Sequence, residues 1–242
     1  MKGGKWYIVS NERIAEKIYK MVLRGDTEGI CPGQFVEIAI PGYYLRRPLS
    51  VSDIEGNLLT VIYKTVGEGT VRMVQMQKGG ELDILTGLGN GYDLTRANNN
   101  VLLIGGGVGV PPLIYAAKKL REAGKNVRVV MGFNTKCEVF AEDTFTALGC
   151  EVAICTMDGS YGKKGVVTDL LQEPVPFYYA CGPIPMLKAL TRTIGTNGQI
   201  SMEERMGCGV GICMGCTIET KEGFKRVCKE GAVFNAEILK FE

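Results

Sequence analysis

The chain has 242 residues, 45% of them hydrophobic and 22% charged, with a net charge of +2. One large or two modest globular domains fit that length, and the near-neutral balance gives no pull toward nucleic acid or an anionic membrane. There is no histidine, which excludes a Ser-His-Asp triad, a Cys-His dyad, a His-ligated zinc and a Rieske cluster.

The opening Met1-Lys2-Gly3-Gly4-Lys5-Trp6 carries no apolar core, so no secretory leader is expected. No stretch approaches the roughly 18 apolar residues of a membrane span. Nine cysteines without a leader suggest a reducing, cytoplasmic setting.

Residues 5–95 read as mostly β. Residues 16–23 are a short mixed run. Residues 34–40 alternate and stop at Pro41-Gly42, and 57–65 follow the turn signal Glu55-Gly56. The spacing of Val71 and Val74 predicts a two-turn helix over 71–77, and 81–85 is a further strand. Short strands with Gly/Pro punctuation predict a small antiparallel β-barrel. Within it, Leu45-Arg46-Arg47-Pro48-Leu49-Ser50-Val51 offers an arginine for a phosphate and a strand start for a planar ring. An ordinary solvated arginine pair is the alternative.

The texture changes near Asn98-Asn99-Asn100, where strands begin to alternate with helices. Strands are predicted at 101–104, 127–131, 152–155 and 177–180, and helices at 111–123, 144–148, 166–171 and 185–193. This is the pattern of a doubly wound parallel sheet. Ile104-Gly105-Gly106-Gly107-Val108-Gly109-Val110-Pro111-Pro112 joins a strand to a helix. Such a turn lets backbone approach a pyrophosphate and aims a helix N-terminus at it. Val110 stands where a strict G-x-G-x-x-G would place its third glycine, and a tight structural turn is the alternative. Tyr179-Ala180-Cys181-Gly182-Pro183 ends a late strand, the end at which open α/β sheets bind ligands. Asp158-Gly159-Ser160-Tyr161-Gly162-Lys163-Lys164-Gly165 is a polar loop that covers a nucleotide or merely connects two elements.

Cys208-Gly209-Val210-Gly211-Ile212-Cys213-Met214-Gly215-Cys216, with Cys228 further on, has the C-x4-C-x2-C…C spacing of a plant-type [2Fe–2S] site. A structural zinc usually takes two paired knuckles; it and a disulfide pair are the alternatives. The other cysteines (Cys31, Cys137, Cys150, Cys155 and Cys181) show no metal spacing and read mostly as small buried hydrophobes.

Taken in this order, the motifs resemble the ferredoxin–NAD(P) reductase family, a flavin-binding barrel followed by a pyridine-nucleotide domain. With the four-cysteine tail, they are most similar to its branch of NAD-dependent dihydroorotate dehydrogenase electron-transfer subunits. The resemblance implies three units: a FAD-binding barrel over 1–97, an NAD-binding α/β domain over 98–200 and a [2Fe–2S] module over 201–242. It implies that Arg47, Pro48, Leu49 and Ser50 hold the FAD phosphate and ring. Ile62, Tyr63 and Lys64 would line the flavin, the Tyr63 ring included, and Gly69 and Thr70 would take the FAD pyrophosphate. Gly105, Gly106, Gly107, Gly109, Cys181, Gly182 and Pro183 would receive NAD(H), and Cys208, Cys213, Cys216 and Cys228 would ligate iron. Residues 132–136 carry neither a ribose-binding acid nor an arginine cluster, and NAD is favoured over NADP.

The implied function is electron transfer, in pyrimidine biosynthesis, from the FMN catalytic subunit of dihydroorotate dehydrogenase through the cluster and FAD to NAD+. No room remains for an FMN barrel of ~250 residues. The partner is therefore expected to be a separate chain, so that this chain does not oxidise dihydroorotate alone; a heterotetramer of two subunits of each kind is implied by the resemblance alone. Val210, Ile212 and Met214 are candidate partner contacts or loop packing. No catalytic acid or base is assigned, which suits a chain without histidine. Two other readings are a flavin/iron–sulfur subunit of a ferredoxin-dependent NAD(P)H oxidoreductase or sulfur-reducing enzyme, and a non-enzymatic NAD(H) redox sensor with structural zinc.

Overall fold

The computed structural model describes residues 1–171 and 175–241. Six strands close into an antiparallel barrel: β1 (Lys2–Ala15), β2 (Ile18–Arg24), β3 (Phe35–Ile38), β4 (Arg47–Glu55), β5 (Leu58–Lys64) and β6 (Glu81–Leu88), in the order β1-β2-β5-β4-β3-β6. Alternate side chains fill its interior, among them Ile8, Met21, Leu23, Val36, Ile38, Val51, Leu59, Val61 and Ile84.

β1 is longer than the sequence suggests, because Lys2 to Tyr7 pair with β6 despite their polar, glycine-rich composition. The mixed run at 16–23 is a tight turn, with Lys17 at φ +59°, leading into β2. α1 covers Glu68–Val74, three residues earlier than the expected 71–77. Thr70 is the reason: its hydroxyl accepts from the Val66 and Gly67 backbone N–H groups at 3.0 and 3.2 Å and fixes the first turn there. Met73, not Val71, enters the barrel core; Val71 is 51% exposed.

The second layer is a seven-stranded sheet of β7 (Asn100–Gly106), β8 (Asn126–Phe133), β9 (Glu151–Thr156), the short β10 (Lys163–Lys164), β11 (Tyr178–Cys181), β12 (Gly198–Ser201) and β15 (Val233–Asn235). Its order is β10-β9-β8-β7-β11-β12-β15, parallel except for the β12–β15 pair. The helices are α2 (Pro111–Glu122), α3 (Glu142–Ala147) and α4 (Ile184–Ile194). The expected helix at 166–171 is a single 3-10 turn over Val167–Leu170. β13 (Thr217–Thr220) and β14 (Gly223–Arg226) form a separate hairpin after the cysteine loop.

α2 lies between sheet and barrel. Leu113, Ala116, Ala117 and Leu120 pack on the sheet, as the helical spacing predicts. Tyr115 joins the barrel core, and Lys118 Nζ is 3.0 Å from Asp53 Oδ1 on β4. At the other end, Asn90 follows the barrel and binds the C-terminal segment: its amide donates to the Val233 carbonyl at 2.7 Å, and its Oδ1 accepts from Val233 N–H at 3.1 Å. No helix among the described residues is long and apolar enough to cross a membrane.

Candidate functional site

The cysteine loop winds through positive φ at Gly209 (+67°), Met214 (+62°) and Gly211 (+84°), a conformation that glycine adopts without strain. This turns backbone N–H groups toward sulfur. Cys208 Sγ accepts from the N–H of Val210, Ile212 and Cys213 at 3.5, 3.3 and 3.4 Å. Burial alone would raise its pKa, but these donors hold the thiol down at about 6. Cys213 Sγ accepts from Gly215 N–H at 3.5 Å, and Cys216 Sγ from Cys228 N–H at 3.4 Å.

The four thiols stand as two pairs. Backbone hydrogen bonds link them two by two: Cys213 N–H donates to Cys208 Sγ, and Cys228 N–H to Cys216 Sγ, each at 3.4 Å. Two pairs suit the two irons of a [2Fe–2S] cluster, and N–H donors aimed at sulfur suit its anionic ligands. A structural zinc usually takes its cysteines from two paired knuckles, whereas three of these four come from one short loop. The pairs differ in burial. Cys213 is exposed and Cys208 half-buried, whereas Cys216 and Cys228 are buried in one apolar cluster with Phe35, Val227 and Ala232. Burial, then the Cys216 sulfur, push Cys228 up to about 12.

Phe35 and Ala232 also line a 590 Å³ cavity on the barrel. It opens where β4 and β5 separate. Their ladder runs from Glu55↔Leu58 to Val51↔Val61, with a bulge between Val51 and Asp53, and goes no further. Beyond the fork, residues 47–50 pair only with β3 and residues 62–64 only with β2. Two strand edges therefore face one gap, a slot for a planar ring offering backbone hydrogen bonds on both sides. Arg47, Pro48, Leu49, Ser50, Ile62, Tyr63, Lys64 and Thr70 all line the cavity. The Arg47 guanidinium is held by the Leu45 carbonyl (Nη1, 2.6 Å) and the Tyr43 ring (5.2 Å), which leaves Nε and Nη2 without a partner among the described residues. It lies against Gly69, where a Cβ would stand 2.9 Å from Nη2. An arginine laid over the first turn of α1 fits a pyrophosphate. The Tyr63 ring, by contrast, is 1% exposed, stacked on Tyr19 at 5.7 Å, with its hydroxyl donating to Asn11 Oδ1.

The glycine loop and the Cys181-Gly182-Pro183 turn meet at a second cavity, of 260 Å³. A Cβ on Gly109 would collide with the Cys181 carbonyl, and one on Gly106 would stand 2.5 Å from Met186 Sδ. Gly105 is required by helix packing: its Cβ would reach Val110 Cγ2 at 2.7 Å. Gly107, at φ +51°, faces open space. Gly106, Gly107, Gly109, Gly182 and Pro183 line this cavity; Cys181 lines the barrel cavity, and burial pushes its thiol up to about 12, so it stays neutral. Of the polar loop after β9, Gly165 reaches this second cavity, while Asp158 is engaged by Ser160 N–H at 2.9 Å and hydroxyl at 2.6 Å.

Lys64, Val108 and Glu203 line both cavities and mark their junction. Lys64 Nζ bridges to Glu138 Oε1 of the nucleotide domain at 2.6 Å, and Asn134 donates to Glu138 Oε2 at 2.8 Å. Glu138, Glu203, Phe35 and Met206 are absent from the motif-based set. Phe35 carried a signal in the alternation of β3; the others lie in connections whose course depends on tertiary packing. Among the remaining cysteines, Cys150 and Cys155 are buried and Cys31 and Cys137 exposed.

Residues 203–240 match the family model for the iron–sulfur cluster binding domain of dihydroorotate dehydrogenase B. The chain is 43% identical, over 97% of its own length and 97% of the relative's, to the dihydroorotate dehydrogenase B (NAD(+)) electron transfer subunit of Fusobacterium nucleatum subsp. nucleatum. It is 45% identical, over 95% of each, to the subunit of that name from Geobacillus thermodenitrificans. Among solved structures, it aligns with a chain of an NADH-dependent reduced ferredoxin-NADP oxidoreductase at TM-score 0.87 and 32% identity, covering 97% of this chain and 89% of that one. Phthalate dioxygenase reductase aligns at TM-score 0.69 and 20% identity, over 82% of this chain and 67% of that one, and shares the fold. Identity at this level over nearly the whole length, with the tail matched separately, places the chain in the family of dihydroorotate dehydrogenase B (NAD(+)) electron transfer subunits.

Proposed function

We propose that this chain is the electron-transfer subunit of a dihydroorotate dehydrogenase, carrying electrons between an FMN-containing catalytic subunit and NAD+. The observation that carries the reading is the continuity of three sites. The nucleotide and flavin cavities share Lys64, Val108 and Glu203, and the flavin cavity shares Phe35 and Ala232 with the apolar bed of Cys216 and Cys228. When bound, FAD exchanges a hydride with nicotinamide and single electrons with a [2Fe–2S] cluster.

The chain's own residues bind, orient and exclude water. Arg47 neutralises the flavin phosphates, the fork between β4 and β5 holds the ring, and the glycines of residues 105–109 admit the nucleotide. Cys208, Cys213, Cys216 and Cys228 hold the cluster with one pair buried toward FAD and the other toward the surface. Ile212 (81% exposed) and Met214 (53% exposed) flank the outer pair as apolar partner contacts. The only cation lining the nucleotide cavity among the described residues, Lys64, already pairs with Glu138, and Glu203 adds negative charge. An extra 2′-phosphate is disfavoured there, which supports NAD. The working units are 1–97, 98–200 and 201–242, and the assembly is a cytoplasmic heterotetramer of two subunits of each kind acting in pyrimidine biosynthesis.

The test is anaerobic purification with the catalytic subunit. The expected complex is yellow-brown, contains FAD, FMN and iron, shows a rhombic [2Fe–2S] EPR signal on reduction, and reduces NAD+ with dihydroorotate only when both subunits are present. Bound zinc without iron would overturn the reading. The likeness to the ferredoxin-NADP oxidoreductase chain supports a second reading with a different partner; co-purification of an FMN protein inert toward dihydroorotate would favour it.

A further inference from the structure

One buried charged residue lies outside the flavin and nucleotide sites. Val36 and Ile38 of β3 fill the barrel, so the two-residue period sends Phe35 and Glu37 to its outer face, under the cysteine module. Glu37 is 2% exposed, and its Oε1 has no hydrogen-bond partner among the described residues. The charged groups facing it are Arg46, Arg47 and Cys208. Arg46 is already committed to Asp83, donating to its carbonyl at 2.9 Å and its carboxylate at 2.5 Å. Gly209 closes over Glu37: a Cβ there would stand 2.5 Å from Oε1, 2.7 Å from Cγ and 2.9 Å from Cδ. An unpartnered buried carboxyl oxygen costs stability, and one kept at such a place calls for a role.

We propose that Glu37 is the positioning residue of the cluster loop: its side chain is the floor on which the Cys208–Cys213 turn rests, and it leaves no space for a Cβ at position 209, where the positive φ already favours glycine. The inference rests on the reading of the four cysteines as iron ligands. Glu37 touches neither NAD(H) nor substrate. It acts through Gly209, whose backbone conformation directs the Val210, Ile212 and Cys213 N–H groups at Cys208 Sγ. It also seats the loop against β3 by contact, and Phe35 of that strand lines the barrel cavity.

A reciprocal pair of substitutions tests this in the complete complex, with retained FAD as the control for folding. Gly209→Ala drives a methyl group into the floor, and Glu37→Ala leaves a void beneath the loop. Each is expected to release iron to a chelator roughly fivefold faster or more and to alter the EPR g-values. In the double variant the new methyl group enters the void. Iron retention and g-values should return to within about twofold of wild type, although a side chain at the positive φ of position 209 keeps its strain. Glu37→Gln keeps the floor's shape and should behave as wild type. Additive losses in the double variant, wild-type iron release from Glu37→Ala, or iron loss from Glu37→Gln would each overturn the assignment. If Gly209→Ala fails to retain FAD, Glu37→Ala and Glu37→Gln still decide. A wild-type complex without iron would instead refute the cluster reading itself.

Discussion

At the scale of single residues, the proposed flavin site makes Arg47 the group on which flavin retention should depend. Its guanidinium is oriented by Leu45 and Tyr43 and backed by Gly69, so it meets a phosphate without further ordering. Charge-assisted hydrogen bonds of this kind contribute about 1.5–3 kcal/mol, or roughly one to two decades in affinity. Arg47→Ala should weaken FAD binding by about 10- to 100-fold, measured by flavin fluorescence on dilution, while the iron content stays unchanged. Arg46, its neighbour in the motif, serves another purpose: it ties the segment just before β4 to Asp83 on β6. The sequence offers two adjacent arginines, and only the folded barrel separates the ligand-facing one from the structural one.

At the scale of elements, the glycine loop and the Cys181-Gly182-Pro183 turn form one device. Gly109 lies so close to the Cys181 carbonyl that no side chain fits between them. Gly109→Ala should abolish flavin bleaching by NADH, with FAD and iron contents kept, as followed by anaerobic absorbance spectroscopy. The motif strings and the order of the main strands were legible because each rests on local chemistry: glycine at a strand–helix turn, apolar runs in parallel strands, cysteine spacing. What escaped depends on partners distant in sequence. Lys2 to Lys5 become strand only through pairing with β6, and α1 begins where the Thr70 hydroxyl catches two upstream N–H groups. β12 and β15 are short segments that gain strand character from each other and from β11. Glu37 carried no sequence signal at all, since a charged residue within an alternating strand reads as solvent-facing until the cysteine module covers it.

At the scale of the whole molecule, barrel and nucleotide domain are joined beside the shared cavities by Lys64 and Glu138, whose side chains are 27% and 19% exposed. Burial opposes ionisation of Glu138, but the Lys64 ammonium and the Asn134 amide outweigh it and hold its carboxyl below the ordinary glutamate range. A carboxyl depressed by folding contributes stability above its unfolded pKa of ~4.3, and that contribution is lost as pH falls through the lower folded value. Glu138→Gln should therefore lower the melting temperature by about 2–4 °C at pH 7, corresponding to about 1 kcal/mol for a chain of this size. The difference from wild type should shrink steadily below about pH 4.5. Calorimetry across that range checks both the size and the sign.

The seventh strand of the sheet carries one more consequence. β12 and β15 lie side by side, with Met202 N–H bonded to the Ala232 carbonyl at 2.9 Å, so everything between them is a single excursion whose two ends touch. Closing so long a loop carries an entropic penalty that grows with its length. Tying Cys208, Cys213, Cys216 and Cys228 to one centre cross-links the excursion internally and leaves fewer free residues for β15 to bring home, much as a disulfide restrains an unfolded chain. With the proposed ligands, metal loading would be coupled to the last strand pairing of the sheet. Chelation should fray that sheet from its β15 edge inward, and hydrogen exchange at Val233 to Asn235 would register the loss of iron before the barrel does.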